Sequence, residues 1–134
     1  MQKNVFHGWL LVNKPAGVTS ADVVRALKKK FNPTKIGHAG TLDPDATGLM
    51  PLALGEATKT IPYLQKLKKK YEAVFLFGLK TDTDDVSGKT LRNSFYVPNK
   101  NEVLEGLKYY SEVMFQIPPK VSAVKVKGKR AYKR

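Results

Sequence analysis

A glycine-rich segment at residues 37–48 interrupts the apolar pattern of the chain, with apolar segments on both sides of it. It reads GHAGTLDPDATG, so three glycines fall within twelve residues. Glycine adopts backbone conformations that other residues avoid, and it lets a backbone approach a ligand closely. We therefore predict a loop here. Such a loop can aim one carboxylate, that of Asp43, at a reacting atom.

The elements before this loop carry clear boundary signals. A short buried strand is predicted over residues 8–13, followed by a turn at residues 14–17. Thr19 or Ser20 is placed to cap a helix that ends near residue 31. The acidic first turn and the basic last turn of that helix agree with its dipole.

The elements after the loop follow an irregular order. Strands are predicted over residues 49–54, 71–79, 114–117 and 122–127, and helices over residues 55–67 and 103–109. A proline inside the first of these strands places it at an edge or a bend of the sheet. Asn99 and Glu102 resemble a capping box before the last helix. The order favours an α+β domain with a mixed sheet over a doubly wound one.

The chain is strongly basic, because 24 lysine and arginine residues against 11 acidic residues give a net charge of +13. Such a domain is drawn to polyanions, of which nucleic acid is the commonest. The last 22 residues contain seven basic side chains and Tyr132 but no acid, which suits a phosphate backbone and an unstacked base. A solvated surface and a solubilising tail are the alternative interpretations of the same charges.

Several classes of site and location are disfavoured by composition. The absence of cysteine excludes disulfides, and His7 and His38 alone cannot form a structural zinc site. The acidic loop at residues 82–85 lacks the spacing of a calcium loop, and the glycine segments lack the ending of a phosphate-binding loop. With no apolar run of about 18 residues and no signal peptide, the cytoplasm is the expected location.

Residue chemistry alone does not decide the role of the candidate site residues. Asp43 and Asp45 are either a carboxylate pair for chemistry at a glycosidic bond or two turn-stabilising aspartates. The turn interpretation is the stronger one for Asp45, whereas small residues crowd Asp43. His38 is either a structural histidine or a contact to a base or a phosphate. On the same generic grounds Tyr71 is a strand core residue and Lys14 is exposed to solvent.

Four blocks of sequence, spread over nearly the whole chain, resemble the N-terminal part of the bacterial TruB-type tRNA pseudouridine synthases. They occur in the order in which that family has them, and the second is highly specific. The blocks read GWLLVNKPAGVTS at 8–20, KIGHAGTLDPDATG at 35–48 continuing to LGEATK at 54–59, KKYEA at 69–73 continuing to TDTD at 81–84, and QIPPKVSAVK at 116–125 continuing to GKRAY at 128–132.

The resemblance implies a pseudouridine synthase fold, an α+β arrangement with a mixed, largely antiparallel sheet and flanking helices. It also implies an isomerase that converts a uridine in the tRNA T-loop, at position 55, to pseudouridine. The base is flipped out of its stack, the N-glycosidic bond breaks, and the uracil rejoins through C5. The implied partner is tRNA, and no metal, cofactor, membrane or obligatory protein partner is expected.

The resemblance further assigns roles to individual residues. Asp43 matches the family's catalytic aspartate, which acts on the ribosyl C1′ as a nucleophile or as a base. His38 and Tyr71 match the histidine that contacts the flipped nucleotide and the tyrosine that stacks on the target base. Lys14 and Pro15 match a motif that supports the active-site loop. The other expected residues are Gly40, Thr41 and Lys14 for substrate binding and Lys120, Lys125, Lys129 and Arg130 for RNA binding.

Members of that family continue well past residue 134. They add a second half of the catalytic sheet, an arginine that pairs with the catalytic aspartate and, in many cases, a C-terminal RNA-binding module. We therefore expect residues 1–134 to be the N-terminal portion of a catalytic domain, inactive alone. Two alternatives stay open: a non-catalytic tRNA-binding or tRNA-folding module, and a guide-dependent rRNA pseudouridine synthase.

Overall fold

A computed structural model describes residues 3–112, 115, 125–126 and 129–130 of the chain. The chain divides into two units, Met1–Tyr71 and Glu72–Arg134. The first unit holds the glycine-rich loop and the elements that flank it.

The first unit is built on a three-stranded antiparallel sheet. Its strands are β1 (Gly8–Lys14), β2 (Ile36–His38) and β3 (Gly48–Leu54), in the spatial order β1, β3, β2. The register of β1 on β3 runs from Gly8 opposite Leu54 to Lys14 opposite Gly48. β3 supplies the most deeply buried apolar side chains, those of Met50, Leu52 and Ala53. The predicted strand 8–13 is confirmed, whereas the start of the predicted loop is a short strand.

The predicted strand 49–54 is confirmed, but its predicted place at an edge or bend is wrong because β3 is the central strand. Pro51 lies opposite Leu11 of β1, and its carbonyl accepts a hydrogen bond from the Ala39 N–H at 3.0 Å. In an antiparallel strand the N and C=O of one residue point to the same side. The nitrogen of Pro51, which cannot donate, therefore faces the side where β2 has already ended at His38.

Helix α1 (Ser20–Phe31) begins where its local sequence predicts. Thr19 is the N-cap: its hydroxyl accepts from the Asp22 N–H at 3.1 Å, and the Asp22 carboxylate accepts from the Thr19 N–H at 2.9 Å. These reciprocal bonds satisfy two N–H groups that the helix itself leaves unpaired. The hydrogen bonds from Thr19 hold the pKa of Asp22 below its usual value.

We expect Thr19→Ala to lower the free energy of unfolding by about 1 kcal/mol at neutral pH, because the cap is lost. Folding lowers the pKa of Asp22. The stabilisation that its ionised carboxylate gives to the folded state is therefore fully present above the pKa of the unfolded state, and it is lost as the pH falls through the lower pKa of the folded state. The difference between the two proteins should therefore shrink in acid. Urea unfolding of both proteins at neutral and at acid pH measures this difference in the free energy of unfolding. Thr60→Ala is the control, since the Thr60 hydroxyl bonds only the carbonyl of Ala57.

The single helix predicted over residues 55–67 is in fact two short elements. Gly55–Thr60 forms a 3₁₀ helix, and α2 (Ile61–Gln65) follows it directly. Pro62 has no N–H to donate to the carbonyl four residues before it, so a continuous α-helix cannot run through this point.

The described residues of the second unit form two antiparallel strand pairs and one helix. β4 (Leu79–Thr81) pairs with β5 (Thr90–Asn93), α3 (Lys100–Glu112) follows, and β6 (Lys125–Val126) pairs with β7 (Lys129–Arg130). The capping box before α3 is confirmed: the Asn99 side chain accepts from the Glu102 N–H at 3.1 Å, and the Glu102 carboxylate accepts from the Asn99 N–H at 2.7 Å. The α+β class with antiparallel sheets is confirmed as well.

The long apolar strand predicted over residues 71–79 is wrong. Only Leu79 lies in a strand, and the segment before it is irregular, with Val74 98% and Phe75 74% exposed. An apolar sequence forms a strand only when a second strand accepts and donates its hydrogen bonds. Among the described residues no strand pairs with residues 71–78, and the Gly78 carbonyl accepts one backbone hydrogen bond, from the Ser94 N–H at 2.7 Å.

The predicted strand pieces of the C-terminal region are only partly described. Lys125–Val126 confirms part of the strand predicted over 122–127, and the rest of that range lies outside the described residues. Of residues 114–117 only Phe115 is described, and it is not in a strand. None of the described helices has the length and apolarity that crossing a membrane requires.

Candidate active site

The glycine-rich loop joins β2 to β3 and presents Asp43 to solvent. The chain turns directly after this residue, where the Ala46 N–H donates to the Asp43 carbonyl at 3.1 Å. The Asp43 side chain is exposed, and within the described residues its carboxylate makes no hydrogen bond or ion pair. A reacting group therefore has free access to both carboxylate oxygens.

Lys14, at the end of β1, is the anchor beneath this loop. Its side chain is completely buried, contrary to the solvent-exposed lysine expected on generic grounds. The ammonium donates to the carbonyls of Pro15 at 3.0 Å, Val18 at 2.8 Å and Pro44 at 3.0 Å. An ammonium has three protons, and these three acceptors use all of them. The geometry therefore gives Lys14 a supporting position under the loop, with no free donor for a substrate.

The carbonyl of Pro44 is held twice. Besides Lys14, the backbone N–H of Gly17 donates to it at 2.9 Å. Gly17 has φ +82°, a left-handed conformation that glycine adopts without the strain of a side chain. The turn after β1 is thereby tied to the residue that follows Asp43.

The residue before Asp43 is held by Ser20, the first residue of α1. The Ser20 hydroxyl donates to the Leu42 carbonyl at 3.1 Å and accepts from the Leu42 N–H at 3.0 Å. Ser20 is 3% exposed, so these bonds lie out of water. Both neighbours of Asp43 are thus fixed to buried groups, while its own carboxylate stays free.

His38 stands at the other end of the loop, where β2 ends. Its Nδ1 lies 2.7 Å from the carbonyl oxygen of Gly40. Because a carbonyl oxygen only accepts, Nδ1 carries the proton in this contact, and in the neutral ring Nε2 carries the lone pair. The imidazole is half-buried and oriented by the loop's own backbone.

The loop carries His38, Gly40, Thr41 and Asp43; His38 contacts the Gly40 carbonyl, and Lys14 bonds the carbonyl of Pro44. Thr41 is exposed, and a Cβ built on Gly40 would meet no atom within 4 Å, so there is open space beside that residue. Tyr71 is not joined to them: its side chain is 71% exposed, and in the described part of the chain it makes no hydrogen bond or ring contact.

The predicted RNA-binding residues belong to the other unit. Lys125 pairs with Arg130 between the antiparallel strands β6 and β7, and Lys129 pairs with Val126. Lys120 lies outside the described residues.

The family resemblance implies a supporting role for Lys14, but sequence reasoning misses Ser20 as a residue that fixes the loop. The sequence predicts Ser20 only as a possible helix cap, yet its hydroxyl bonds Leu42, 22 residues away. Lys14 reaches Pro44 over 30 residues. No local pattern in a single sequence indicates either pairing.

This arrangement supplies a solvent-accessible carboxylate on a rigidly held backbone. A carboxylate so placed can attack an electrophilic carbon as a nucleophile or remove a proton as a base. Among the described residues no group of three or more histidine, aspartate or glutamate side chains is placed to hold a metal ion.

Comparison with known proteins points to one family. The sequence profile described as "TruB family pseudouridylate synthase (N terminal domain)" matches residues 28–134. The chain is 50% identical over 127 residues to tRNA pseudouridine synthase B of Roseobacter denitrificans, covering 95% of this chain and 42% of that protein. It is also 50% identical over 126 residues to tRNA pseudouridine synthase B of Anaplasma phagocytophilum, covering 94% of this chain.

One solved structure shares sequence with the chain over a shorter stretch. It is described as an "H/ACA RNP bound to a substrate RNA containing 2'-deoxyuridine", with 44% identity over 42% of this chain, 18% of that chain and a TM-score of 0.41. The chain spans less than half the length of the two curated relatives, 42% in each case.

Proposed function

The chain belongs to the TruB family of pseudouridylate synthases, and we propose that it is the N-terminal portion of the catalytic domain of a tRNA pseudouridine synthase. The complete protein isomerises a uridine in the tRNA T-loop, at position 55, to pseudouridine. It acts in the cytoplasm without a cofactor or an obligatory protein partner. The observation that carries this proposal is the free Asp43 carboxylate on a loop held at both neighbouring residues.

The reaction moves the uracil ring from one attachment to another without a net change in composition. The bond between N1 and C1′ breaks, a new bond forms between C5 and C1′, C5 loses a proton and N1 gains one. Asp43 either attacks C1′ as the nucleophile or removes a proton as the base. In both routes the carboxylate must be ionised and held close to the ribose, which an exposed side chain on a fixed backbone allows.

The residues around Asp43 serve the flipped nucleotide. His38 contacts it with the ring nitrogen that does not bond Gly40, and the open space beside Gly40 and Thr41 receives it. Tyr71, whose ring is free for stacking, packs on the target base. Lys14 serves the substrate site by holding the loop through its three carbonyl partners.

The net charge of +13 supports binding to the phosphate backbone of tRNA. We assign this role to Lys120, Lys125, Lys129 and Arg130 near the C-terminal end. Each cation that contacts a phosphate releases counterions, so affinity falls with rising salt concentration in proportion to the number of phosphates that are neutralised.

Replacing Lys129 and Arg130 by alanine is expected to weaken tRNA binding and to flatten its salt dependence. The slope of log affinity against log salt concentration should fall by roughly 0.7–0.9 for each phosphate that the variant no longer neutralises. Filter binding over a series of salt concentrations measures both quantities. An unchanged slope would show that these two side chains do not bind phosphate.

The function itself is tested by supplying the protein translated from the complete reading frame with an unmodified tRNA transcript. Chemical mapping of pseudouridine should find one modified position, in the T-loop, without any added guide RNA. Residues 1–134 alone should give no product. Binding without product from the complete protein would favour the RNA-binding module, and product only with a guide RNA would favour the guide-dependent class. Robust turnover by residues 1–134 would contradict the fragment proposal.

A further inference from the structure

The peptide unit that leads into Asp43 is held by one buried hydroxyl. The Leu42 carbonyl belongs to the same planar peptide as the Asp43 nitrogen, and Ser20 donates to it at 3.1 Å. The same oxygen of Ser20 accepts from the Leu42 N–H at 3.0 Å. One side chain therefore fixes the peptide planes on both sides of the Leu42 α-carbon, and with them the point from which Asp43 projects.

The support of Ser20 is rigid. Ser20 opens α1, and Thr19 caps that helix with a reciprocal pair of hydrogen bonds to Asp22. The other side of Asp43 is held independently, through the Pro44 carbonyl. Without Ser20 the loop would keep its attachment after Asp43 and lose the one before it.

Ser20 has no route to a substrate, because it is 3% exposed and its hydroxyl already makes both bonds to Leu42. We propose that Ser20 is a positioning residue: it fixes the direction of the Asp43 carboxylate toward the ribose of the bound uridine. This inference rests on the proposed function of Asp43. It predicts a loss in the rate of the chemical step with little change in the binding of RNA, since a carboxylate displaced by about 1 Å costs about 10²-fold in rate.

The test compares Ser20→Ala with Ser20→Thr in the complete protein, by multiple-turnover tritium release from a T-loop RNA labelled at C5 of uridine, over a range of RNA concentrations. Ser20→Ala should lower kcat about 10²-fold and leave KM nearly unchanged, whereas Ser20→Thr, which keeps the hydroxyl, should restore most of the rate. Ser111→Ala is the matched control, because it removes a serine hydroxyl that bonds only the Lys108 carbonyl of its own helix.

Three outcomes decide the inference. A fall in kcat at unchanged RNA affinity, reversed by Ser20→Thr, supports it. An unchanged kcat in Ser20→Ala overturns it, and so does a joint loss of RNA affinity, thermal stability and rate that Ser20→Thr does not reverse. Asp43→Ala in the same assay separates this failure from that of the proposed function: if Asp43→Ala is inactive and Ser20→Ala is normal, only the role of Ser20 is lost.

Discussion

Asp43→Ala is expected to lower turnover of the complete protein by more than about 10³-fold, because we propose that its carboxylate performs the chemical step as nucleophile or base. RNA affinity should change little. In the described part of the chain the Asp43 carboxylate bonds no other residue, so its removal leaves the loop, Lys14 and Ser20 in place. Tritium release reports turnover, and filter binding with the same RNA reports affinity.

Asp45→Ala is the matched control for this prediction. Asp45 is an exposed carboxylate in the same turn, two positions further along. Removing it changes the local charge by the same amount and should leave most of the turnover intact. If Asp43→Ala kept full turnover, or if Asp45→Ala were equally inactive, the catalytic assignment of Asp43 would be wrong.

Lys14→Met should produce a large loss of stability in the first unit, because the buried ammonium bonds three backbone carbonyls. The methionine fills the space of the lysine stem but gives no proton to the carbonyls of Pro15, Val18 and Pro44. The Pro44 carbonyl keeps its hydrogen bond from the Gly17 N–H, so the carbonyls of Pro15 and Val18 are the two that lose this donor. Because a buried polar group left without a partner costs about 1–3 kcal/mol, we expect the free energy of unfolding to fall by roughly 2 kcal/mol. Turnover should fall as well, since Pro44, the residue after Asp43, loses one of the two hydrogen bonds that hold its carbonyl.

Urea unfolding of the complete protein measures this loss, with Lys29→Met as the control. Lys29 is an exposed lysine of α1, so the same substitution there removes the same charge without leaving a carbonyl unpaired. Lys14→Arg should also be destabilising, because a planar guanidinium does not fit three carbonyls arranged around a compact ammonium. Equal urea midpoints for Lys14→Met and Lys29→Met would contradict the anchoring role of Lys14.

The parts of the fold that sequence reasoning predicted are those with local causes. The strand that begins at Gly8, the turn at Gly17 and helix α1 follow from apolar runs, a glycine and a capping pair close in sequence. The loop itself could also be predicted, because its signal, three glycines within twelve residues, is local in the sequence. The family resemblance added the proposed catalytic role of Asp43. Residue chemistry alone also allows an aspartate whose side chain merely stabilises the turn.

The parts that sequence reasoning missed depend on distant partners. Residues 71–78 have the composition of a strand but lack a strand to pair with among the described residues. Pro51 is tolerated in a central strand only because β2 is short. The hydrogen bonds of Lys14 to Pro44 and of Ser20 to Leu42 span 30 and 22 residues, and nothing in either local sequence indicates them.

We propose that the Asp43 carboxylate converts uridine to pseudouridine. The most direct measurement is a single-turnover tritium-release assay with Asp43→Asn at saturating protein, because asparagine keeps the shape of the side chain and removes only its charge and basicity. We predict that this variant binds the T-loop RNA as the unsubstituted protein does and releases no tritium. Release at the unsubstituted rate would contradict the claim.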